Sequence, residues 1–306
     1  MITLKENFLR GSYPPLITPF RDGRVDLSAF GELVDRQARE GSHGVVVAGT
    51  TGEPSSLTLQ ERKDLLQTAL QAAAGRLPVV AATGSQSYVE TAELTCHAEQ
   101  AGADAVLVVT PYYIKPPQQG LVDYFVGIGR LTSLPLLIYN IPGRAAVSIT
   151  APAVAKIADQ LPHLVGMKHA ATDLEIITEL LNRLGNEFRV FCGLEALSLP
   201  MLAIGAAGVM NAAGNLAPGR VAELCNAMGM SDLDRARRLH VELFELNRAI
   251  FLDTNPIPLK YMMSRLGLLG RNEVRLPLVP ITDQERKRIL DEVLEQAGLL
   301  VKETTA

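Results

Sequence analysis

Short apolar runs alternate with longer segments of helical spacing along most of the chain. Runs of strand character fall at residues 15–18, 44–48, 78–82, 105–110, 135–139, 164–168, 189–192 and 208–211. Segments with apolar positions three and four apart fill the gaps, at 27–40, 59–74, 89–100, 121–131, 151–158, 174–184 and 194–204. The strand runs are continuously apolar rather than alternating, the pattern of parallel strands covered on both faces. One joint recurs three times: Gly41-Ser42-His43-Gly44-Val45, Gly102-Ala103-Asp104-Ala105-Val106 and Gly205-Ala206-Ala207-Gly208-Val209. Each places glycine where a helix ends and an apolar strand start three residues later. Eight strands with intervening helices in about 230 residues predict an α/β protein with a (β/α)8 TIM barrel. A doubly wound sheet is the competing arrangement, but the GxGxxG turn expected after its first strand is missing.

Beyond Asn215 the alternation stops. Helical spacing continues at 218–228, 233–252, 258–266 and 283–296, with Thr282 or Asp283 placed to cap the last segment. The expected organisation is a barrel over residues 1–230 and a C-terminal helical extension over 231–306. No Gly-, Ser- or Pro-rich linker separates the two.

Composition narrows the classes. Charged residues are 20% and hydrophobic ones 47% of 306 positions, the balance of a folded, enzyme-sized chain. A net charge of −4 with scattered Lys and Arg argues against nucleic-acid binding. No apolar stretch is long enough to span a bilayer and no signal peptide is visible, so a cytoplasmic protein is expected. Cys96, Cys192 and Cys225 are too far apart for CxxC metal pairs or a disulfide framework. The five histidines lack HxH or HxxxH spacing, so no metal site is expected.

In such a barrel the chemistry sits at the C-terminal ends of the strands. Lys168 closes the apolar run Leu164-Val165-Gly166-Met167. Burial there would lower its pKa and supply the neutral amine that attacks a ketone to form a Schiff base. A solvated lysine or half of an ion pair is the plainer alternative. Tyr139 ends the preceding strand in register, where its phenol can carry protons for imine formation or merely fill the barrel rim. Gly49-Thr50-Thr51-Gly52-Glu53 offers hydroxyls and backbone N–H groups suited to a small carboxylate, or an ordinary turn. Arg144, after Pro142-Gly143, reads as a carboxylate clamp or as a surface arginine. His169, next to Lys168, should point to the opposite face of its strand.

Four segments fall together in order and spacing: Gly49-Thr-Thr-Gly-Glu53, Thr110-Pro-Tyr-Tyr113, Tyr139-Asn-Ile-Pro-Gly-Arg144 and Gly166-Met-Lys168. With them the chain resembles the dihydrodipicolinate synthase/N-acetylneuraminate lyase family of pyruvate-dependent class I aldolases, from about Gly11 through Asn255-Pro256-Ile257-Pro258 and Arg275-Leu276-Pro277 to the C-terminus. The resemblance implies a lyase in which Lys168 forms an imine with pyruvate, without cofactor or metal. It makes Tyr139, Thr50 and Tyr113 a proton relay, Tyr113 serving a neighbouring subunit of a homotetramer built as a dimer of dimers. It assigns Thr51 to the pyruvate carboxylate, Arg144 to the carboxylate of an aldehyde acceptor, and Gly193 and Met210 to the pyruvate pocket. In the synthases that acceptor is L-aspartate semialdehyde.

Three stretches depart from the synthase pattern: His169-Ala170-Ala171-Thr172, Gly193-Leu194-Glu195 and Pro54-Ser55-Ser56. The last is closer to aldolases of open-chain 2-keto-4-hydroxy dicarboxylates such as 2,4-dihydroxyhept-2-enedioate, formed from pyruvate and succinate semialdehyde. A 2-keto-3-deoxy acid aldolase or dehydratase and a non-enzymatic keto-acid sensor are further alternatives. Leu59, Arg62 and Gln86 stand where lysine-inhibited synthases carry histidines and asparagine, which argues against that feedback.

Overall fold

The computed structural model describes residues 1–300. Eight parallel strands form a barrel: β1 (Gly11–Ser12), β2 (Val45–Val47), β3 (Val79–Ala82), β4 (Ala105–Val109), β5 (Leu136–Asn140), β6 (Leu164–His169), β7 (Arg189–Cys192) and β8 (Gly208–Val209). Helices α1 (Leu27–Arg39), α2 (Leu59–Ala73), α3 (Tyr88–Ala101), α4 (Gln118–Gly129), α5 (Ala151–Ala158), α6 (Glu175–Leu184), α7 (Ser198–Ile204) and α8 (Pro218–Gly229) follow the strands in turn. The glycine joints work as expected: Gly41, Gly102 and Gly205 all take positive φ, the conformation glycine adopts without steric cost.

The first strand differs from expectation. The ladder with β8 is made by Gly11–Ser12, upstream of the apolar run at 15–18. Pro14 and Pro15 have no N–H to donate. The chain therefore changes partner there: Val46 donates to Pro14 O and Leu16 donates to Val46 O, both at 3.0 Å, closing the barrel on β2.

Alternation along the strands sorts two cores. Val46, Val80, Ala105, Leu107, Leu137, Val165 and Phe191 fill the interior with Tyr13. Val45, Val47, Val106, Val108, Leu136, Ile138, Leu164 and Met167 face the helices. Strand β6 breaks the alternation. Leu136 pairs with Leu164 but Leu137 pairs with Gly166, so Val165 is an extra residue on β6. That bulge turns Lys168, rather than Met167, toward the interior. Glycine is needed beside it, because a Cβ on Gly166 would lie 2.2 Å from Arg189 O.

The C-terminal extension comprises α9 (Leu233–Glu242), α10 (Phe244–Ala249), α11 (Ile257–Arg265) and α12 (Gln284–Gln296). Asp283 caps α12, accepting from Arg286 N at 2.8 Å. The helix expected over 233–252 is two helices joined at the buried Leu243, and α10 packs on α12 and on the turn Glu195–Leu197. None of the described helices is long and apolar enough to cross a membrane.

Candidate active site

The loops after β2, β4 and β5 surround a cavity of about 290 Å³ at the C-terminal end of the barrel, near the lower end of the range for small-molecule sites. Residues with positive φ other than glycine cluster in these loops: Ala48, Glu53, Tyr113, Lys115 and Ala146. Each is held in a conformation that costs energy, as happens where a site is pre-shaped.

Lys168 is 4% exposed and Tyr139 5%. The two are register partners on neighbouring strands, and Lys168 Nζ lies 4.3 Å from the Tyr139 ring centroid. Thr50 Oγ1 donates to Tyr139 Oη at 3.4 Å. Among the described residues no carboxylate lies within ion-pairing distance of Lys168. Tyr139 and Thr50 line the cavity, whereas Lys168 is not in its wall and has its Nζ over the face of the Tyr139 ring. Lys168, Tyr139 and Thr50 thus form one connected group.

Arg144 lies on a single helical turn, Pro142–Ala145, and reaches the cavity wall. Its Nη2 donates to Asn255 O at 3.3 Å. Thr51, 2% exposed, accepts from Asn255 Nδ2 at 3.0 Å. Asn255 therefore joins Thr51 to Arg144 and brings the extension into the site, a role that sequence reasoning missed. The one available signal was the segment Asn255-Pro256-Ile257-Pro258, which contains no group that stands out chemically.

The other charge on the cavity wall, Glu53, is buried against Lys260 and accepts from Arg275 N at 3.3 Å. With Glu53 neutralised in this way, Arg144 leaves the cavity with a positive field suited to carboxylates. Apolar walls are supplied by Ala48, Ala82, Leu107 and Val109.

Three expected site residues stand apart. Tyr113 is 88% exposed and does not line this chain's cavity, which Tyr112 lines instead. Met210 belongs to the barrel interior, and its N–H donates to Cys192 O at 2.8 Å. Gly193 packs on the lysine stem, since a Cβ there would come 2.9 Å from Lys168 Cε. Neither Gly193 nor Met210 lines the cavity.

His169 is turned away from Lys168 and buried. Its Nε2–H donates to Asp173 O at 2.8 Å and its Nδ1 accepts from Asn140 Nδ2 at 3.2 Å. Both nitrogens are used by the neutral ring, and burial lowers its pKa. Among the described residues no group of three or more His, Cys, Asp or Glu side chains is arranged to hold a metal ion.

A sequence model of the Dihydrodipicolinate synthetase family matches residues 8–297. The 4-hydroxy-tetrahydrodipicolinate synthase of Thermus thermophilus is 49% identical over 298 residues, 97% of this chain and 99% of that protein. The crystal structure of dihydrodipicolinate synthase from Aquifex aeolicus superimposes with a TM-score of 0.93 at 40% identity, over 96% of this chain and 100% of that one. The enzyme from Acinetobacter baumannii, solved in complex with pyruvate, gives a TM-score of 0.92 at 33% identity, over 95% of this chain and 100% of that one. These matches run nearly end to end and span the Lys168, Tyr139 and Arg144 loops alike, and the chain belongs to the dihydrodipicolinate synthetase family.

Proposed function

We propose that this chain is a 4-hydroxy-tetrahydrodipicolinate synthase, a Schiff-base lyase condensing pyruvate with L-aspartate semialdehyde. The observation that carries this reading is the group Lys168–Tyr139–Thr50: a buried amine without a carboxylate partner among the described residues, next to a phenol bonded to a hydroxyl. The amine adds to the pyruvate ketone, and Tyr139 and Thr50 move the protons by which the carbinolamine loses water. Loss of a methyl proton gives the enamine, whose carbon bonds to the aldehyde. The acceptor's amino group then displaces Lys168 as the ring closes. Arg144 and the neighbouring Thr51–Asn255 pair, linked through Asn255, supply the carboxylate-binding groups, and Gly193 and Met210 shape the pyruvate end behind Lys168.

The exposed Tyr113 and Ile114 support an assembly in which this loop completes a neighbour's site, within a homotetramer. A cytoplasmic setting fits the three unpaired cysteines. The turn Pro54–Ser56 lines the cavity and keeps the open-chain aldolase as the second reading.

Borohydride reduction in the presence of pyruvate should leave a pyruvate-sized adduct on Lys168, read by peptide mass spectrometry. An adduct elsewhere, or none, would overturn the imine mechanism. Parallel assays with aspartate semialdehyde and succinate semialdehyde decide between the two acceptors. Tyr139→Phe, which keeps the ring over the amine, should slow adduct formation on the order of 10²-fold.

A further inference from the structure

Glu195 is a buried carboxyl that the reaction described above does not use. It is 3% exposed, does not line the active-site cavity, and heads the turn Glu195–Leu197 just beyond β7. Its Oε1 accepts from Ala212 N at 2.6 Å, tying the end of β7 to the end of β8. Ser198 Oγ donates to Glu195 O at 2.8 Å and accepts from Asn211 Nδ2 at 2.8 Å, which fastens the same knot a second time. Two residues upstream, Gly193 donates to His169 O at 2.8 Å and packs on the Lys168 stem.

We propose that Glu195 is a positioning residue for Lys168, its carboxyl bracing β7 against β8 so that Gly193 stays a fixed wall beside the lysine stem. The inference rests on the imine reading above. A loop free to move by an ångström would let the amine leave the line of attack, and such displacements cost large factors in rate.

The knot also indicates which form of the carboxyl is held there. Glu195 Oε2 and Asn211 Oδ1 are both buried without a hydrogen-bond partner among the described residues. An ionised carboxylate would leave a charge half-satisfied in that setting, which is costly. Burial pushes the carboxyl upward from its ordinary range, against the opposing pull of backbone N–H groups and of Lys168. The other titratable neighbours are Cys192 on β7 and, across a groove of about 670 Å³, Glu245 and Arg248 on α10. Burial thus favours the uncharged form of this brace, and among the described residues Glu195 makes no ion pair with Lys168.

The test uses the full chain and pyruvate, with the rate of borohydride-trapped adduct on Lys168 followed against pH. Glu195→Gln keeps the acceptor for Ala212 N and carries no charge. It should trap within about threefold of the parent, with the pH midpoint unmoved. Glu195→Ala removes the brace and should trap at least tenfold more slowly, with folding checked by circular dichroism. A midpoint displaced by about one unit or more in Glu195→Gln would make Glu195 a charged partner of Lys168 and overturn the inference. Glu195→Ala trapping as fast as the parent would overturn it too. Absence of any adduct in the parent would instead defeat the imine reading itself, so the two failures are distinguishable. If Glu195→Ala does not fold, Glu195→Met, which fills the space but offers no acceptor oxygen to Ala212 N, takes its place and should trap at least tenfold more slowly.

Discussion

Among the described residues two lysines are buried, and both lie over an aromatic ring. Lys168 Nζ is 4.3 Å from the Tyr139 centroid at the barrel mouth, and Lys260 Nζ is 4.1 Å from the Phe20 centroid where α11 meets the barrel. Their partners differ. Lys260 is paired with the buried Glu53 and donates to Glu273 O at 2.8 Å, so its charge is balanced on the spot. Lys168 has no carboxylate within ion-pairing distance among the described residues; it has instead a phenol that is bonded to Thr50 and open to the cavity. A buried amine is thus not a sign of chemistry by itself. One lysine staples the extension to the barrel, while the other is left for an incoming carbonyl.

The sharpest way to break this comparison is to remove each amine. Lys168→Ala should lower turnover by on the order of 10³-fold or more, with a melting temperature close to the parent's. Loss of stability without loss of activity would reverse the assignment.

Lys260→Met should do the opposite. It leaves the buried Glu53 carboxylate without its ion-pair partner, a change worth about 3–5 kcal/mol, while the surviving chains still form the pyruvate adduct on Lys168. Adding Glu53→Gln to Lys260→Met should recover much of that loss, because no buried charge then remains. Denaturant titration of the single and double variants measures both effects. A double variant no more stable than the single one would show that Glu53 and Lys260 are not coupled.

How each lysine could be read in the sequence follows from the same contrast. Lys168 was legible because it closes a strand-like run and lies in register with Tyr139. The step that turns it inward was not: the bulge at Val165 has no apolar signature, and strict alternation from Val165 would have pointed Met167 into the barrel. Lys260 was invisible because its partner, Glu53, is 207 positions away and sits in a turn that reads as a ligand-binding loop. Asn255 was missed for a related reason. Its value lies in reaching Thr51 and Arg144, which the chain brings to it only after closing the barrel. The helix over 233–252 was misread as continuous because its apolar spacing carries on through Leu243, where tertiary packing turns the chain.

The smallest expected effect separates the two regions by pH. Arg275 lies over the same Phe20 ring as Lys260, at 4.5 Å, and grips Glu61 through both terminal nitrogens at 2.8 and 2.6 Å. Those bonds hold the Glu61 carboxyl down to about 2. A carboxyl depressed by folding contributes stability above its ordinary pKa and loses it as pH falls through the folded value. The contribution of the Glu61–Arg275 pair should therefore be complete above about pH 4.5 and fade toward pH 2. Both side chains are partly solvated, so screening reduces it to roughly 1 kcal/mol or less. Glu61→Gln should be less stable than the parent at pH 7 and should converge on it as the pH drops from 4.5 toward 2, in urea titrations across that range. Tyr139 and Lys168 take no part in this contact, so the rate of adduct formation at pH 7 should be the same in Glu61→Gln and the parent. A variant that lost adduct formation but kept its stability would place Glu61 on the Lys168 side of the molecule, and the division between stapling and reacting lysines would have to be redrawn.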